Sequence, residues 1–243
     1  MVVRVARWGW RIGLVAVAFA VFLVGVGVGA AGASPPTPVR IVRSVSVPVK
    51  AVALTFDDGP SSKYTPQVLQ LLGEYGAKAT FFVVGRELLR NPEIARQEAE
   101  AGMELANHGT HHLVLRRLDP SAIAAEVQPV EREITAITGN RPTLYRMPRG
   151  QGDARSQRAL ADLGYTVVYW SVDTHDYLPR TPASIAAQVL KEAKPGSIVI
   201  FHDGGGNRQP TVDALKTILP ALKSEGYQMV TVSQLLELGR QAA

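Results

Sequence analysis

Two adjacent carboxylates, Asp57-Asp58, end a short apolar run from Ala51 to Phe56 and are closed by Gly59-Pro60. An apolar run followed by Gly-Pro reads as a buried strand entering a turn. Ionised neighbours repel, and desolvating either one costs more still. A cation or a shared proton would resolve the conflict; a solvated turn is the plain alternative, since Asp and Gly are ordinary turn residues. His108 and His112 stand four apart, a spacing that lets two imidazoles on one helical turn, or on a loop shaped like one, converge on an ion. With one carboxylate they would make a His-His-Asp site with positions open to water and substrate, a donor set suited to Zn²⁺ or a similar divalent ion. The alternative is a His-rich polar loop, and the adjacent His111 would point elsewhere. One Asp of the pair could then bind the metal, and the other could be a base. The ion offsets their repulsion and acidifies water, and a base beside such water suits attack on a carbonyl. Arg146 could hold that base ionised through a bidentate contact, or make a surface ion pair. His202, with Asp176 available from a neighbouring strand end, has the makings of a general acid held and charged by a carboxylate; a hydrogen-bonded core histidine is the alternative. The run Gly204-Gly205-Gly206 either lets backbone approach a ligand closely or is a flexible loop.

The elements that would carry these residues alternate. Strand candidates are Ala51 to Phe56, Ala79 to Val84, Met103 to Ala106, Thr143 to Arg146, Thr166 to Val172, Ser197 to Phe201 and Gln228 to Val232. Helices are expected over Thr65 to Tyr75, Glu87 to Ala101, Pro120 to Thr138, Ala154 to Leu163, Pro182 to Ala193 and Thr211 to Ser224, with a terminal helix that Ser233 would cap. Asp119 reads as an N-cap and Gly139-Asn140 as a stop. About seven alternations imply parallel strands joined by crossover helices, as an open doubly wound sheet or a closed barrel. No Gly-x-Gly-x-x-Gly follows the first strand, so nothing marks a dinucleotide fold. In barrels, chemistry gathers where strands end, and four of the five histidines lie just past strand candidates.

The chain has 243 residues, an apolar fraction of 46%, no cysteine and a formal charge of +5. This suits one globular domain plus a short extra segment and excludes disulfides, a thiol nucleophile and a Cys-type zinc site. Residues 1–33 hold Arg4, Arg7 and Arg11 and no acid, leaving 23 basic against 21 acidic residues, or +2, in the remainder. No Lys/Arg run is interleaved with aromatics, so a nucleic-acid partner is not expected. Gly13 to Ala33 is an uncharged stretch of 21 residues ending in Ala31-Gly32-Ala33. With the basic start it reads as a signal peptide or as an uncleaved membrane anchor, the one expected membrane contact. Either way the rest of the chain is exported, to the envelope or the exterior. Residues 34–50, with prolines at 35, 36, 38 and 48, read as a linker, and 51–243 as the catalytic domain.

Taken together, these residues resemble the polysaccharide deacetylase family, the NodB-homology or carbohydrate esterase family 4 domain, from about Ala51 to Leu236. Thr55-Phe56-Asp57-Asp58-Gly59 resembles its first motif, which implies Asp57 as catalytic base and Asp58 as metal ligand. Asn107 to His112 resembles the second and implies His108 and His112 as the other ligands. Tyr145 to Gly150 resembles the third, with Arg146 orienting the base. Trp170 to Tyr177 resembles the fourth, with Asp176 tuning the acid; Ile200-Phe201-His202 resembles the fifth, with His202 as the acid and Ile200 lining an acetyl pocket. The resemblance implies a distorted (β/α)7-type barrel of parallel strands and outer helices, one divalent ion (Zn first, then Co, Ni or Mn), and removal of acetyl from N-acetylated sugars of peptidoglycan or chitin-type glycans. Its mechanism would have water on the metal deprotonated by Asp57, the oxyanion held by the metal and a backbone N–H near Arg149, and the leaving amine protonated by His202.

Three positions depart from the family pattern. Gly109 stands where Ser or Thr is usual, whose hydroxyl steadies the metal loop, with Thr110 as the available compensation. Arg149 replaces an aromatic, so one substrate-binding wall becomes cationic and an acidic substituent, such as the lactyl group of N-acetylmuramic acid, is expected. Tyr177 replaces a Trp and keeps a wall. The competing functions are the same scaffold acting on an O-acetyl ester or a non-sugar amide, and a catalytically silent glycan-binding module.

Overall fold

All seven residues of the strand Ala51–Asp57 (β2) are buried. A parallel strand covered on both faces reads as a continuous apolar run, which is why β2 shows no alternation of polar and apolar residues. Its side chains nevertheless alternate in destination. Val52, Leu54 and Phe56 pack outward among residues of the surrounding helices, and Ala51 and Ala53 pack inward. Phe56 is stacked between Phe81 and Phe201, with ring centroids 5.0 and 5.4 Å away.

The computed structural model describes Val2 and residues 38–241. The chain divides into Met1–Pro35 and Pro36–Ala243. The segment 13–33, read above as a signal peptide or anchor, lies outside the described residues. Among the described residues no helix is long and apolar enough to cross a membrane.

The other strands are β1 (Ile41–Val42), β3 (Ala79–Val83), β4 (Glu104–Asn107), β5 (Leu144–Tyr145), β6 (Thr166–Val168), β7 (Val172–Asp173), β8 (Ile198–His202) and β9 (Gln228–Met229). They form one sheet in the order β1-β6-β5-β4-β3-β2-β8-β7, with β9 also paired to β2 and every ladder parallel. Helices α1 (Thr65–Glu74), α2 (Gly85–Arg90), α3 (Pro92–Glu100), α4 (Pro120–Thr138), α5 (Ala154–Asp162), α6 (Pro182–Glu192), α7 (Gln209–Ser224) and α8 (Val232–Gln241) surround it. The sheet curls into the expected distorted (β/α) barrel, with no ladder joining the edge strands β1 and β7.

Four details differ from the expectations. Residues 34–50, read as a linker, contribute β1, which pairs with β6. The single helix expected over Glu87 to Ala101 is two, because Pro92 opens α3 and the residue before a proline is pushed out of the helical region; Asn91 has φ −131° and ψ 50°. Thr166 to Val172 is interrupted between β6 and β7. Thr231, not Ser233, caps α8: its hydroxyl accepts from Gln234 N (3.1 Å) while Gln234 Oε1 accepts from Thr231 N (2.9 Å).

Phe56→Ala would leave a void at the centre of the aromatic stack. It is expected to lower the unfolding free energy by about 3–5 kcal/mol in urea titration.

Candidate active site

The inner face of the sheet is floored by Ala53, Ala106, Leu144, Val168 and Ile198. Side chains two residues on share a face. Thr55 and Asp57 therefore follow Ala53, His108 follows Ala106, Arg146 follows Leu144, and Ile200 and His202 follow Ile198. Register keeps these ends level, with Asp57 opposite His202 across β2 and β8 and Asn107 opposite Val83 and Tyr145. The result is a cleft of about 550 Å³ whose walls include Asp57, Asp58, His108, His112 and His202, with Arg149, Trp170 and Tyr177 among the residues around them.

Arg146 is fully buried. Its Nη1 donates to Asp57 Oδ1 and to Thr55 Oγ1, both at 2.7 Å. Its Nε and Nη2 donate to the carbonyls of Val168 and Tyr169 at 3.3 Å, and its guanidinium lies 4.0 Å over the Phe82 ring. The contact with Asp57 is single rather than the expected bidentate one, because Thr55 shares the same nitrogen. The backbone that leaves β6 turns carbonyls to this guanidinium, which accounts for the interrupted strand.

The main-chain carbonyl of Arg146 lies 2.7 Å from His108 Nδ1. A carbonyl only accepts, so Nδ1 carries a proton and Nε2 is the ring nitrogen turned toward the acids. That Nε2 lies 3.6 Å from Asp58 Oδ1 and 3.8 Å from Asp57 Oδ2, and His112 Nε2 lies 3.2 Å from Asp58 Oδ1. One ligand atom from each of Asp58, His108 and His112 lies within 4.8 Å of the others, so these three could hold a metal ion. Burial, with His108 beside it, lowers the His112 pKa against the pull of Asp58 and Asp57, which favours the neutral form that can ligate. Burial alone would raise Asp58, but His108, His202 and His112 outweigh it and hold the carboxyl below its ordinary value. Two imidazole nitrogens and an ionised carboxylate are a fitting donor set for a borderline divalent cation. His111 turns away, as expected, with Nδ1 3.0 Å from Glu126 Oε2.

The glycine run closes on Asp58 itself. A Cβ at Gly204 would fall 2.1 Å from Asp58 O, and one at Gly205, where φ is +70°, 2.6 Å from Asp58 Oδ2. Only residues without a side chain permit that approach.

On the opposite wall His202 Nδ1 lies 2.6 Å from Asp176 Oδ1. Asp176 Oδ2 accepts from His202 N (2.9 Å) and Thr211 Oγ1 (2.7 Å). Burial would lower the His202 pKa, but the hydrogen bond and charge of Asp176, with Asp57 and Asp58, raise it above the ordinary imidazole value of 6.5. Burial would likewise raise Asp176, and His202 and Thr211 hold it down. Arg208, itself buried, donates Nη1 to the Asp176 carbonyl (3.1 Å) and Nε to the Gly204 carbonyl (2.6 Å). It thereby ties the acid wall to the loop that presses on Asp58. Sequence reasoning missed Arg208 and Thr211, which flank the start of α7 with no local pattern to set them apart. Tyr177 is 51% exposed, with its ring 5.8 Å from that of His202. Ile200 lines the cleft from the inner face, and Arg149 stands exposed at φ +59°. Trp170 adds a wall, tied by Nε1 to Asp173 Oδ2 (3.0 Å).

Residues 44–168 match the polysaccharide deacetylase family model. A peptidoglycan-N-acetylglucosamine deacetylase of Bacillus cereus is 40% identical over 189 residues, covering 77% of this chain and 88% of that protein. A chitooligosaccharide deacetylase of Bradyrhizobium is 35% identical over 198 residues, covering 76% of this chain and 90% of its own length. Among solved structures, a crystal structure of a peptidoglycan N-acetylglucosamine deacetylase matches with a TM-score of 0.78 at 31% identity, over 80% of this chain and 92% of that one.

The His202 titration follows from its burial and its carboxylate neighbours. In the metal-free protein, NMR of the imidazole is expected to give a pKa above 6.5, and Asp176→Asn should lower it because burial remains while the strongest of its countercharges is gone. Stability moves with it. The pair stabilises the folded chain fully below the unfolded imidazole value of about 6.5, and this contribution is lost as pH rises through the folded value.

Proposed function

The chain belongs to the polysaccharide deacetylase family, and from that premise we propose that it removes acetyl groups from N-acetylated sugars of a cell-envelope glycan by metal-assisted hydrolysis. The observation that carries this reading is a carboxylate held by a cation, Asp57 with Arg146, facing a cation held by a carboxylate, His202 with Asp176. A binding module would need no charged acid opposite a base.

A divalent ion held by Asp58, His108 and His112 would supply Lewis acidity toward the amide carbonyl and acidify water in the cleft. Asp57 takes a proton from water through Oδ2, since Oδ1 is engaged by Arg146. The guanidinium orients that carboxylate toward the cleft. Water oxygen attacks the amide carbon, the C–N bond breaks, and His202 gives its proton to the departing nitrogen. Because Nδ1 is committed to Asp176, the donated proton is the one on Nε2. Acetate and a free sugar amine result. Ile200 offers an apolar contact for the acetyl methyl, and Tyr177 and Trp170 offer flat walls for sugar rings. Arg149, unshielded at the rim, suits a substrate carboxylate such as the lactyl group of N-acetylmuramic acid. Export through residues 13–33 would bring this domain to a glycan outside the membrane; the N-terminal residue of the mature protein tests that.

Acetate release from chitin oligomers and from peptidoglycan fragments is expected, and chelation should abolish it. Asp57→Asn is expected to lower kcat/KM by about 10²–10⁴-fold while metal content stays at the parent value; full activity in this variant would show that another group is the base. Arg149→Ala should remove any preference for muramic-containing over chitin-type oligomers, and equal turnover of the two by the parent would exclude the carboxylate role.

A further inference from the structure

Helix α4 carries an acid on its buried stripe. Ile123, Val127, Val130 and Ile134 are buried, and Glu126, in helical phase with them, is 3% exposed. A carboxylate so placed is costly unless its oxygens are hydrogen-bonded. All of its partners lie on the segment that carries two of the three candidate metal ligands. Oε1 accepts from His111 N (2.5 Å) and from Leu113 N (3.4 Å), and Oε2 lies 3.0 Å from His111 Nδ1. The Glu126 carbonyl accepts from Thr110 N (2.9 Å) and Thr110 Oγ1 (2.7 Å). The next carbonyl, of Val127, accepts from Asn107 Nδ2 (2.9 Å). Both carbonyls belong to the turn before Pro129, where a proline ring loosens the helical ladder.

The residue enclosed by these bonds is His112, which has φ +59°. A left-handed backbone at a non-glycine costs on the order of 1–3 kcal/mol and persists only where its surroundings over-determine it. One carboxylate oxygen bridges the N–H groups on either side of that residue, as an anion does in a backbone nest. Gly109 cannot share the task. It has no side chain, and at φ +82° a Cβ would come 3.0 Å from Tyr145 Oη and 3.1 Å from Glu126 Oε1. The loop is therefore held from α4.

We propose that Glu126 is the positioning residue of the metal loop: it clamps the backbone on both sides of His112, and so sets the affinity for the divalent ion without touching ion or substrate. This rests on the reading that Asp58, His108 and His112 hold that ion. The test is equilibrium titration of the metal-free full chain with Co²⁺, followed by visible absorption at a temperature well below each variant's unfolding midpoint in chelator. Glu126→Ala is expected to weaken Co²⁺ binding by about 10–100-fold, in the range for partners that orient metal ligands. Glu126→Gln, which keeps an oxygen for both N–H groups, is expected to retain most of the affinity, a rescue that mere loss of core packing would not give. Should the Ala variant fail to fold, Glu126→Asp, one methylene too short to reach, is expected to weaken binding in the same sense. Parent-like affinity in the Ala or Asp variant overturns the proposal, as does a Gln variant as weak as Ala. A parent chain that takes up no Co²⁺ removes the metal reading and this proposal together, whereas a binding parent matched by Glu126→Ala removes this proposal alone.

Discussion

The site depends on placing a guanidinium inside a barrel. Removing Arg146 from water is tolerable only because its nitrogens meet Asp57, Thr55 and two carbonyls, and its face meets Phe82. Removing one partner of such a buried pair leaves an uncompensated charge, at a cost of about 3–5 kcal/mol. The same residue acts twice more through its main chain. Its carbonyl fixes the His108 tautomer, and its N–H donates to Asn107 O at 3.1 Å, joining the ends of β4 and β5. The proposed base and one candidate ligand are thus oriented by one residue, and neither can shift without the other.

Around this pair the charges are arranged so that few carboxylates compete for the same space. Asp57, Asp58 and Asp203 come together at the ends of β2 and β8, and all three could not ionise cheaply. Burial pushes Asp203 up to about 7 against its bond from Thr65, with the charges of Asp58 and Asp57 adding to the rise. Asp58, by contrast, is held low by the imidazoles around it. Asp203 and Asp58 are therefore pushed in opposite directions because their neighbours differ, and the one held low is the one that faces the candidate metal site.

Much of this was legible in the residues. Strand ends carried the chemistry, and α4 begins and stops at the residues that Asp119 and Gly139 signal. The break at Asn91-Pro92 was also readable from the restriction a proline places on its predecessor. The break after β6 was not. Tyr169-Trp170 is a favourable strand sequence, and the demand that ends the strand comes from a guanidinium more than twenty positions earlier in the chain. Gly204-Gly205 looked like room for a ligand or like a flexible loop, whereas it makes room for the backbone and carboxylate of Asp58. Glu126 left a trace that periodicity could have caught, an acid standing where the apolar stripe of its helix should continue. Arg208 and Thr211 left none, because their partners are assembled only by the barrel.

The alternation of side chains along each strand has an evolutionary consequence. Losing or gaining a single residue inside β2 or β8, or at the end of β5, would swing Asp57, His202 or Arg146 from the interior to the helical side. A change of two would restore its facing. Insertions and deletions in descendants of this chain should therefore accumulate in the outer helices and in the connections at the far end of the barrel, while the length of these strands stays frozen.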